Sequence, residues 1–153
     1  MAAALLAGGY VDLTVADISA APLLEAKAQL GADAERVHWL PADERSHDFE
    51  REYDLWHDRA VFHFMVTPAD RDAYLDTLLR TLRPSGHAII ATFGLDGPTR
   101  CSGLPTHRYD AAELIRLLGS QFRPIATRLH EHVTPTARVS SPSTCSLDAW
   151  SPS

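Results

Sequence analysis

Short apolar runs alternate with longer segments of helical periodicity along this chain. Apolar residues that recur every three or four positions predict helices over residues 19–30, 68–82 and 110–118. The apolar runs between them predict strands over residues 11–16, 36–40, 53–57, 87–93 and 122–133. The run at 87–93 (HAIIATF) is almost continuously apolar, as in a strand buried within a parallel sheet. Strands that alternate with helices predict a doubly wound α/β domain.

Residues at the ends of the predicted helices support these limits. Ser19 is suited to cap the first helix, and Gly31 is suited to end it. Thr67 can cap the second helix, where Pro68 is favourable in the first turn. The turn residues 84–86 (PSG) then stop this helix before the apolar strand.

Three acids stand where predicted strands end: Asp17, Asp43 and Asp58. In doubly wound sheets the ligand lies beyond this carboxyl edge. Asp17 can accept two hydrogen bonds from a ribose diol, or it can cap the first helix. Asp43 can accept a hydrogen bond from an adenine amino group, or it can be a solvent-exposed loop acid. Three acids on one edge favour a ligand site there.

Asp58 lies among further polar groups in the stretch WHDRAVFHF. His57, Arg59 and His63 are close to it in sequence, so the stretch combines an acid, a base and two imidazoles. Such a cluster can receive an α-amino group and a carboxylate. The alternative is a strand end with a local Asp58–Arg59 pair, which contributes little energy. The residues alone leave both interpretations open.

The composition excludes several classes of protein. With 45% hydrophobic and 22% charged residues, the chain is typical of a globular domain. Acids exceed bases by 20 to 14, so we expect no nucleic-acid partner. The apolar runs are too short to span a bilayer and the first residues lack a signal-peptide pattern, so we expect no membrane partner and a cytoplasmic location. The two cysteines and eight histidines show no metal-ligand spacing, so no metal site is predicted.

Four motifs occur in an order that is more specific than any of them alone: VADIS, VHWLPAD, YDLWHDRAVFHF and LRPSGHAIIATF. Together they resemble class I S-adenosylmethionine-dependent methyltransferases, over about residues 5–133. The resemblance implies a Rossmann-like three-layer α/β fold, S-adenosylmethionine as the cofactor and a small molecule as the methyl acceptor. It also implies direct displacement, in which the acceptor attacks the sulfonium methyl group in line and no metal takes part.

The resemblance assigns cofactor-binding roles to particular residues. Asp17 binds the ribose, and Ile18 packs on the adenine. Asp43, with Ala42 beside it, approaches the adenine amino group. Asp58 borders the methionine portion of the cofactor.

Other residues are expected on the acceptor side of this site. Arg59 and Phe62 are expected to face the methyl acceptor, with simple packing as the alternative. His63 is the candidate general base for transfer to oxygen or nitrogen, although surface histidines without a catalytic role are common. The loop 94–107, with Arg100, Cys101 and His107, is a further acceptor-side candidate or an ordinary surface connection.

The sequence departs from the family at its amino-terminal end. The glycine-rich loop that follows the family's first strand, approximately E/D-x-G-x-G, does not occur, and Gly8–Gly9 lies where the first helix ends. We therefore expect the fold to lack the first strand, this loop and most of the first helix, about 45 residues. In the family's strand order, 3-2-1-4-5-7-6, the first strand is central, so its loss leaves two unpaired edges. Weak cofactor binding and a poor enzyme are the expected consequences.

The carboxyl-terminal end departs as well. Family members commonly finish with an antiparallel strand pair, whose second strand falls near 139–147, where Pro142 and several serines suit an edge segment at best. Residues 1–133 are therefore predicted to form the methyltransferase domain, and residues 134–153 an irregular Ser/Pro-rich tail.

Three explanations of the missing strand stay open: a start site assigned too late, a decayed gene copy without activity, or a second chain that completes the sheet, a further copy of this chain included. A nicotinamide-binding enzyme is the rival class, because Asp17 also matches the ribose acid of that fold, but Asp43 and the HAIIATF strand favour the methyltransferase. A nucleophilic hydrolase is disfavoured, since G-x-S-x-G does not occur. The non-enzymatic alternative is a degenerate methyltransferase-like partner subunit.

Overall fold

The computed structural model describes residues 1–132 and 143–152, with side chains as far as residue 128. The chain divides into two units, Met1–His47 and Asp48–Ser153. A two-stranded parallel sheet lies in the first unit, and a four-stranded mixed sheet lies in the second. Parallel strands joined by helices agree with the predicted α/β class.

The first unit is a single strand–helix–strand crossover preceded by a short helix. Its elements are α1 (Ala2–Ala7), β1 (Leu13–Asp17), α2 (Ala20–Leu30), a 3-10 helix (Gly31–Arg36) and β2 (Val37–Pro41). β1 and β2 are parallel, with Leu13 opposite Val37 and Asp17 opposite Pro41. Gly31 ends α2 with a φ of 59°, a left-handed conformation that glycine adopts without steric cost. The connection through α2 carries the chain back so that both strands end at the same edge.

The second unit is built round a larger sheet. Its described elements are β3 (Tyr53–Arg59), a 3-10 helix (Phe62–Phe64), α3 (Pro68–Thr81), β4 (Leu82–Phe93), β5 (Arg100–Cys101), β6 (Leu104–Pro105), α4 (Ala111–Leu118), a 3-10 helix (Gly119–Gln121), β7 (Phe122–His132) and β8 (Ser143–Pro152). The main sheet has the order β3-β4-β8-β7, so β8 lies between β4 and β7. β3 and β4 run parallel, whereas β8 is antiparallel to both of its neighbours. β5 and β6 form a short hairpin in the loop after β4.

A hydrophobic core fixes the helices of the second unit on its sheet. Its largest fully buried members come from the segment after β3 and from α3, β4, α4 and the loop before α4: Phe62, Tyr74, Leu78, Ile90, Tyr109 and Leu114. These side chains anchor the polypeptide at the carboxyl ends of β3 and β4, where the predicted acceptor-side residues occur.

In the part of the chain that the structure describes, β1 and β3 each pair on one side only. β1 pairs with β2, and β3 pairs with β4. Each of these two strands therefore has one edge without a partner strand among residues 1–132 and 143–152. The loss of the family's first strand stays a prediction.

The predicted irregular tail is wrong for residues 143–152. They form β8, which pairs with both β4 and β7. Pairing on two sides overrides the weak strand propensity of the serines in this segment. Residues 133–142 and 153 lie outside the described residues.

The turn at 84–86 lies within β4 rather than before it. Leu82 pairs with Tyr53, but the next paired residues are His87 and Leu55, so four residues of β4 stand against one of β3. Ser85 has a φ of 68° at this point, which accommodates the extra length as a bulge. The helix nevertheless ends at Thr81, close to the predicted position.

Thr67 caps α3 as the sequence predicts. Its Oγ1 accepts a hydrogen bond from the Asp70 N–H over 3.1 Å and donates one to Asp70 Oδ2 over 2.6 Å. Thr67→Ala is expected to lower the free energy of unfolding by about 1 kcal/mol, measured by urea denaturation, because it leaves this N–H without its side-chain acceptor. Thr67→Ser keeps the hydroxyl and should stay within about 0.5 kcal/mol of the wild type. Equal losses in both variants would assign the effect to the methyl group instead.

Candidate functional site

The carboxyl ends of β1 and β2 bring Asp17 and Asp43 to one edge of the first unit, as the strand pattern predicts. The backbone hydrogen bonds between β1 and β2 continue one residue beyond β2, because the Ala42 N–H donates to the Asp17 carbonyl oxygen over 3.0 Å. Asp17 therefore lies beside Ala42, and Asp43 follows directly. This is the edge at which ligands bind in open α/β sheets.

Asp17 uses one of its two carboxylate oxygens within the protein. Oδ1 accepts a hydrogen bond from the Ser19 N–H over 2.8 Å, which fixes the side chain at the start of α2. Within the described part of the chain, Oδ2 has no hydrogen-bond partner. Asp17 thus supports the start of the helix and still presents an acceptor. Ser19 occupies the cap position, but its side chain makes no capping bond, so the predicted cap is wrong in this detail.

Apolar and charged groups flank Asp17 at this edge. The side chain of Ile18 is 66% exposed and offers apolar surface to a flat ring, whereas Ala42 is buried. Asp43 is bound by Arg45, whose Nη2 lies 2.6 Å from Oδ2 and whose Nε lies 2.9 Å from Oδ1. The hydrogen bond from Arg45 holds the pKa of Asp43 below its usual value, so this carboxylate is ionised at neutral pH.

Asp58, in the second unit, is buried near the end of β3. Oδ1 accepts from the Val61 N–H over 2.8 Å, while Oδ2 accepts from the Phe62 N–H over 2.9 Å and from the Tyr74 hydroxyl over 2.7 Å. Burial raises the pKa of Asp58 to about 6, although these bonds act in the opposite direction. Both oxygens are used inside the protein, and the residue is only 4% exposed, whereas the side chain of Asp43 is 26% exposed. The geometry therefore counts against direct contact between Asp58 and a cofactor, and it gives this acid the task of shaping the segment after β3.

His63 is fully buried in the segment that follows β3. Its ring stacks on Phe93, with centroids 4.3 Å apart and 14° between the planes. Among the described residues neither ring nitrogen has a hydrogen-bond partner. Burial lowers the pKa of His63 to about 4. A general base has to reach the proton of the acceptor and be basic near neutral pH, so the geometry counts against the predicted role of His63.

The two predicted acceptor-side residues of the same segment differ in exposure. Phe62 is fully buried and packs on Tyr74 and Tyr109, with ring centroids 4.9 and 5.2 Å away, so it belongs to the core. Arg59 is exposed at the end of β3. Ala60 follows with a φ of 73°, a strained conformation at the point where β3 ends. Arg59 therefore stays available to a ligand, whereas Phe62 does not.

A histidine–glutamate pair lies in the loop after β4 and at the start of α4. His107 Nε2 lies 2.9 Å from Glu113 Oε1, and their side chains are 36% and 26% exposed. The His107 N–H donates to the His63 carbonyl oxygen over 2.8 Å, so this loop is attached to the segment after β3. When Nε2 carries the proton and donates it to Glu113, Nδ1 is left as an acceptor.

The sequence did not indicate this pair. His107 falls in a loop predicted to lie on the acceptor side, but its glutamate partner is six residues away, in the next helix. The Asp43–Arg45 pair was missed too, although an acid and an arginine two residues apart in a turn are a usable signal.

Among the described residues, no three His, Cys, Asp or Glu side chains form a group that could hold a metal ion. Among the same residues, none of the helices is long and apolar enough to cross a bilayer.

The sequence model of one protein family, described as "Methyltransferase domain", matches residues 1–86 of this chain. No curated protein matches the sequence significantly.

Many solved structures share the fold. One is 1,6-didemethyltoxoflavin-N1-methyltransferase from Burkholderia thailandensis, with bound 1,6-didemethyltoxoflavin and S-adenosylhomocysteine; it is 23% identical, has a TM-score of 0.74 and covers 99% of this chain, which spans 65% of its length. A SAM-dependent methyltransferase from Methanosarcina mazei is 18% identical with a TM-score of 0.76, over 99% of this chain and 86% of its own. The N-methyltransferase NodS from Bradyrhizobium japonicum is 17% identical with a TM-score of 0.70, over 92% of this chain and 73% of its own. At these identities the likeness shows the fold.

Proposed function

Because this chain belongs to the methyltransferase domain family and has the Rossmann-like fold of class I S-adenosylmethionine-dependent methyltransferases, we propose that it takes part in methyl transfer from S-adenosylmethionine to a small-molecule acceptor. The comparisons confirm the predicted family and the predicted Rossmann-like fold, and S-adenosylmethionine is the cofactor that they imply. The observation that carries the proposal is the shared edge of β1 and β2, with Asp17 and Asp43 upon it.

The residues at this edge are suited to the adenosine part of the cofactor. Asp17 Oδ2 can accept from a ribose hydroxyl, since Oδ1 alone is used within the described residues. The exposed side chain of Ile18 can cover one face of the adenine, and Asp43 can accept from its amino group. All of these residues lie within Met1–His47, so recognition of the nucleoside needs only the first unit.

S-Adenosylmethionine, when bound, supplies a methyl group on a positively charged sulfur that needs no further activation. The remaining tasks of the protein are to orient the acceptor and to accept the proton that an amine or hydroxyl loses on methylation. We assign the proton to His107 Nδ1, because Glu113 orients this half-exposed ring, and we assign acceptor contact to the exposed Arg59. The N-methyltransferases from Burkholderia and Bradyrhizobium support a nitrogen acceptor.

Binding of S-adenosylhomocysteine, followed by NMR titration, tests the proposed function. Asp17→Ala is expected to weaken binding about tenfold, because it removes a charged acceptor for the ribose. Asp33→Ala is the matched control: it removes an acid of the same unit that pairs with Arg36, and we expect an affinity within about twofold of the wild type.

Two results would count against the proposal. An Asp17→Ala affinity within about twofold of the wild type would refute the ribose assignment. Absence of binding to the wild-type chain would overturn the proposed function, and it would favour the non-enzymatic alternative of a methyltransferase-like partner subunit.

A further inference from the structure

The turn after β2 holds Asp43 by its backbone as well as by its side chain. The N–H groups of Ser46 and His47 donate to the Asp43 carbonyl oxygen over 3.1 and 2.9 Å. The Arg45 N–H donates to Asp43 Oδ1 over 2.9 Å and so closes an Asx turn. The chain therefore folds round this acid, which does not stand on a free loop.

The guanidinium of Arg45 fixes the plane of the same carboxylate. Its Nε donates to Oδ1 over 2.9 Å, with Oδ2 at 3.2 Å, and its Nη2 donates to Oδ2 over 2.6 Å. A two-pronged arrangement of this kind sets orientation as well as position. An ionised carboxylate has about four acceptor sites. Three N–H groups of Arg45 make four hydrogen bonds to this carboxylate, because the Nε–H is shared between Oδ1 and Oδ2. Three donors for about four sites leave room for one further donor, and we place it at Oδ2, where the shared contact is the longer one.

The stability of an exposed ion pair does not account for this geometry. Asp33 and Arg36 form such a pair in the same unit, through one 2.9 Å contact between side chains that are 58% and 49% exposed. The side chains of Asp43 and Arg45 are only 26% and 39% exposed, and three separate N–H groups of Arg45 hold the carboxylate. Exposed pairs contribute little to stability, whereas a group held in place before binding lowers the entropic cost of binding.

We propose that Arg45 is a positioning residue that holds Asp43 Oδ2 at one place, which makes this edge selective for a 6-amino purine over a 6-oxo purine. The inference rests on the proposed function, because it requires Asp43 to face the purine. A carboxylate fixed opposite the 6-position accepts from an amino group but opposes a carbonyl oxygen. A carboxylate free to rotate can move to the N1–H of a 6-oxo purine and accept from that instead.

Adenosine and inosine are the probes that test this selectivity, since they differ at the 6-position and at N1. We expect the wild-type chain to bind adenosine about tenfold more tightly than inosine, measured by NMR titration. In Arg45→Ala the preference should fall to within about threefold, mainly through weaker adenosine binding. Arg45→Lys keeps the charge but cannot bind both carboxylate oxygens at once as the guanidinium does. Its preference for adenosine should therefore lie between those of the wild type and Arg45→Ala. Arg36→Ala, which removes the other arginine pair of the unit, should match the wild type.

A second readout needs no ligand. The hydrogen bond from Arg45 lowers the pKa of Asp43, so the carboxyl carbon of Asp43 should titrate at higher pH in Arg45→Ala than in the wild type or in Arg36→Ala. Coincident titration curves would show that the pair does not form in solution and would overturn the inference.

The binding outcomes separate this inference from the proposed function. An unchanged adenosine preference in Arg45→Ala, or tighter adenosine binding, would overturn the positioning role, the latter because Arg45 would then compete with the ligand. If Asp43→Ala kept the wild-type preference, the assignment of Asp43 to the adenine would fail instead. Loss of the preference in both Asp43→Ala and Arg45→Ala supports the inference.

Discussion

Asp58→Asn is expected to lose about 2 kcal/mol of unfolding free energy relative to the wild type as the pH falls from 6.5 to 4. Burial raises the pKa of Asp58 to about 6 from an ordinary value of 3.8. The folded state therefore binds this proton more tightly than the unfolded state does. The resulting stabilisation is fully present below pH 3.8 and disappears as the pH rises to about 6. Asparagine cannot take up the proton, so the variant gains nothing on acidification.

His63 acts in the opposite direction over almost the same range. Burial lowers its pKa from 6.5 to about 4, so its contribution to stability is present above pH 6.5 and is lost as the pH falls to about 4. In the wild type these two groups offset each other. His63→Leu removes the imidazole and with it the loss of stability on acidification. This variant should therefore gain about 3 kcal/mol of unfolding free energy relative to the wild type as the pH falls from 6.5 to 4.

Urea denaturation of the three proteins at pH values from 4 to 7 measures both effects. The comparison uses differences from the wild type, in which the contributions of all other titrating groups cancel. The curves of the two variants should diverge from that of the wild type in opposite directions. Parallel curves would show that Asp58 and His63 titrate near their ordinary values and are not buried as described.

His107→Ala is expected to lower kcat about 100-fold with little change in KM for the acceptor, because it removes the proton acceptor and leaves the binding contacts in place. Glu113→Gln should have a smaller effect of the same kind, since the amide still contacts the ring but no longer stabilises its charged form. The activity is measured with radiolabelled S-adenosylmethionine and the member of a panel of small-molecule amines that the wild type methylates fastest.

His87→Ala is the matched control for this measurement. His87 is an exposed histidine in β4 away from the carboxyl end of the strand, and its replacement should leave kcat within about twofold of the wild type. A large loss in His63→Leu with full activity in His107→Ala would restore the sequence prediction of His63 as the base.

The features that could be predicted from the sequence depend on residues close together in the chain or on the connection between consecutive strands. The limits of α3 follow from Thr67, Pro68 and the apolar positions within the helix, so the predicted 68–82 is close to the observed Pro68–Thr81. The shared edge of Asp17 and Asp43 follows from a parallel crossover, because such a connection places both strand ends together.

The burial of Asp58 and His63 could not be predicted, because it depends on residues that are distant in the sequence. The burial of Asp58 depends on Tyr74, 16 residues away, whose hydroxyl binds its Oδ2. The burial of His63 depends on Phe93, which covers one face of its ring. A short motif that combines an acid, a base and imidazoles is equally compatible with a ligand site and with a folded loop. Only the packing of α3 and β4 on this segment distinguishes them.

The position of β8 within its sheet constrains the order in which the second unit can form. β8 (Ser143–Pro152) lies between β4 and β7, so these two strands are bridged by a segment that a ribosome makes after both. Until β8 has been synthesised, one edge of β4 and both edges of β7 lack a partner strand from the described residues. β3, β4 and the core round Tyr74 can assemble from earlier parts of the chain, but closure of the sheet waits for these late, long-range pairings, which are slow to form. Nascent chains at this stage therefore expose strand edges that can pair with other chains.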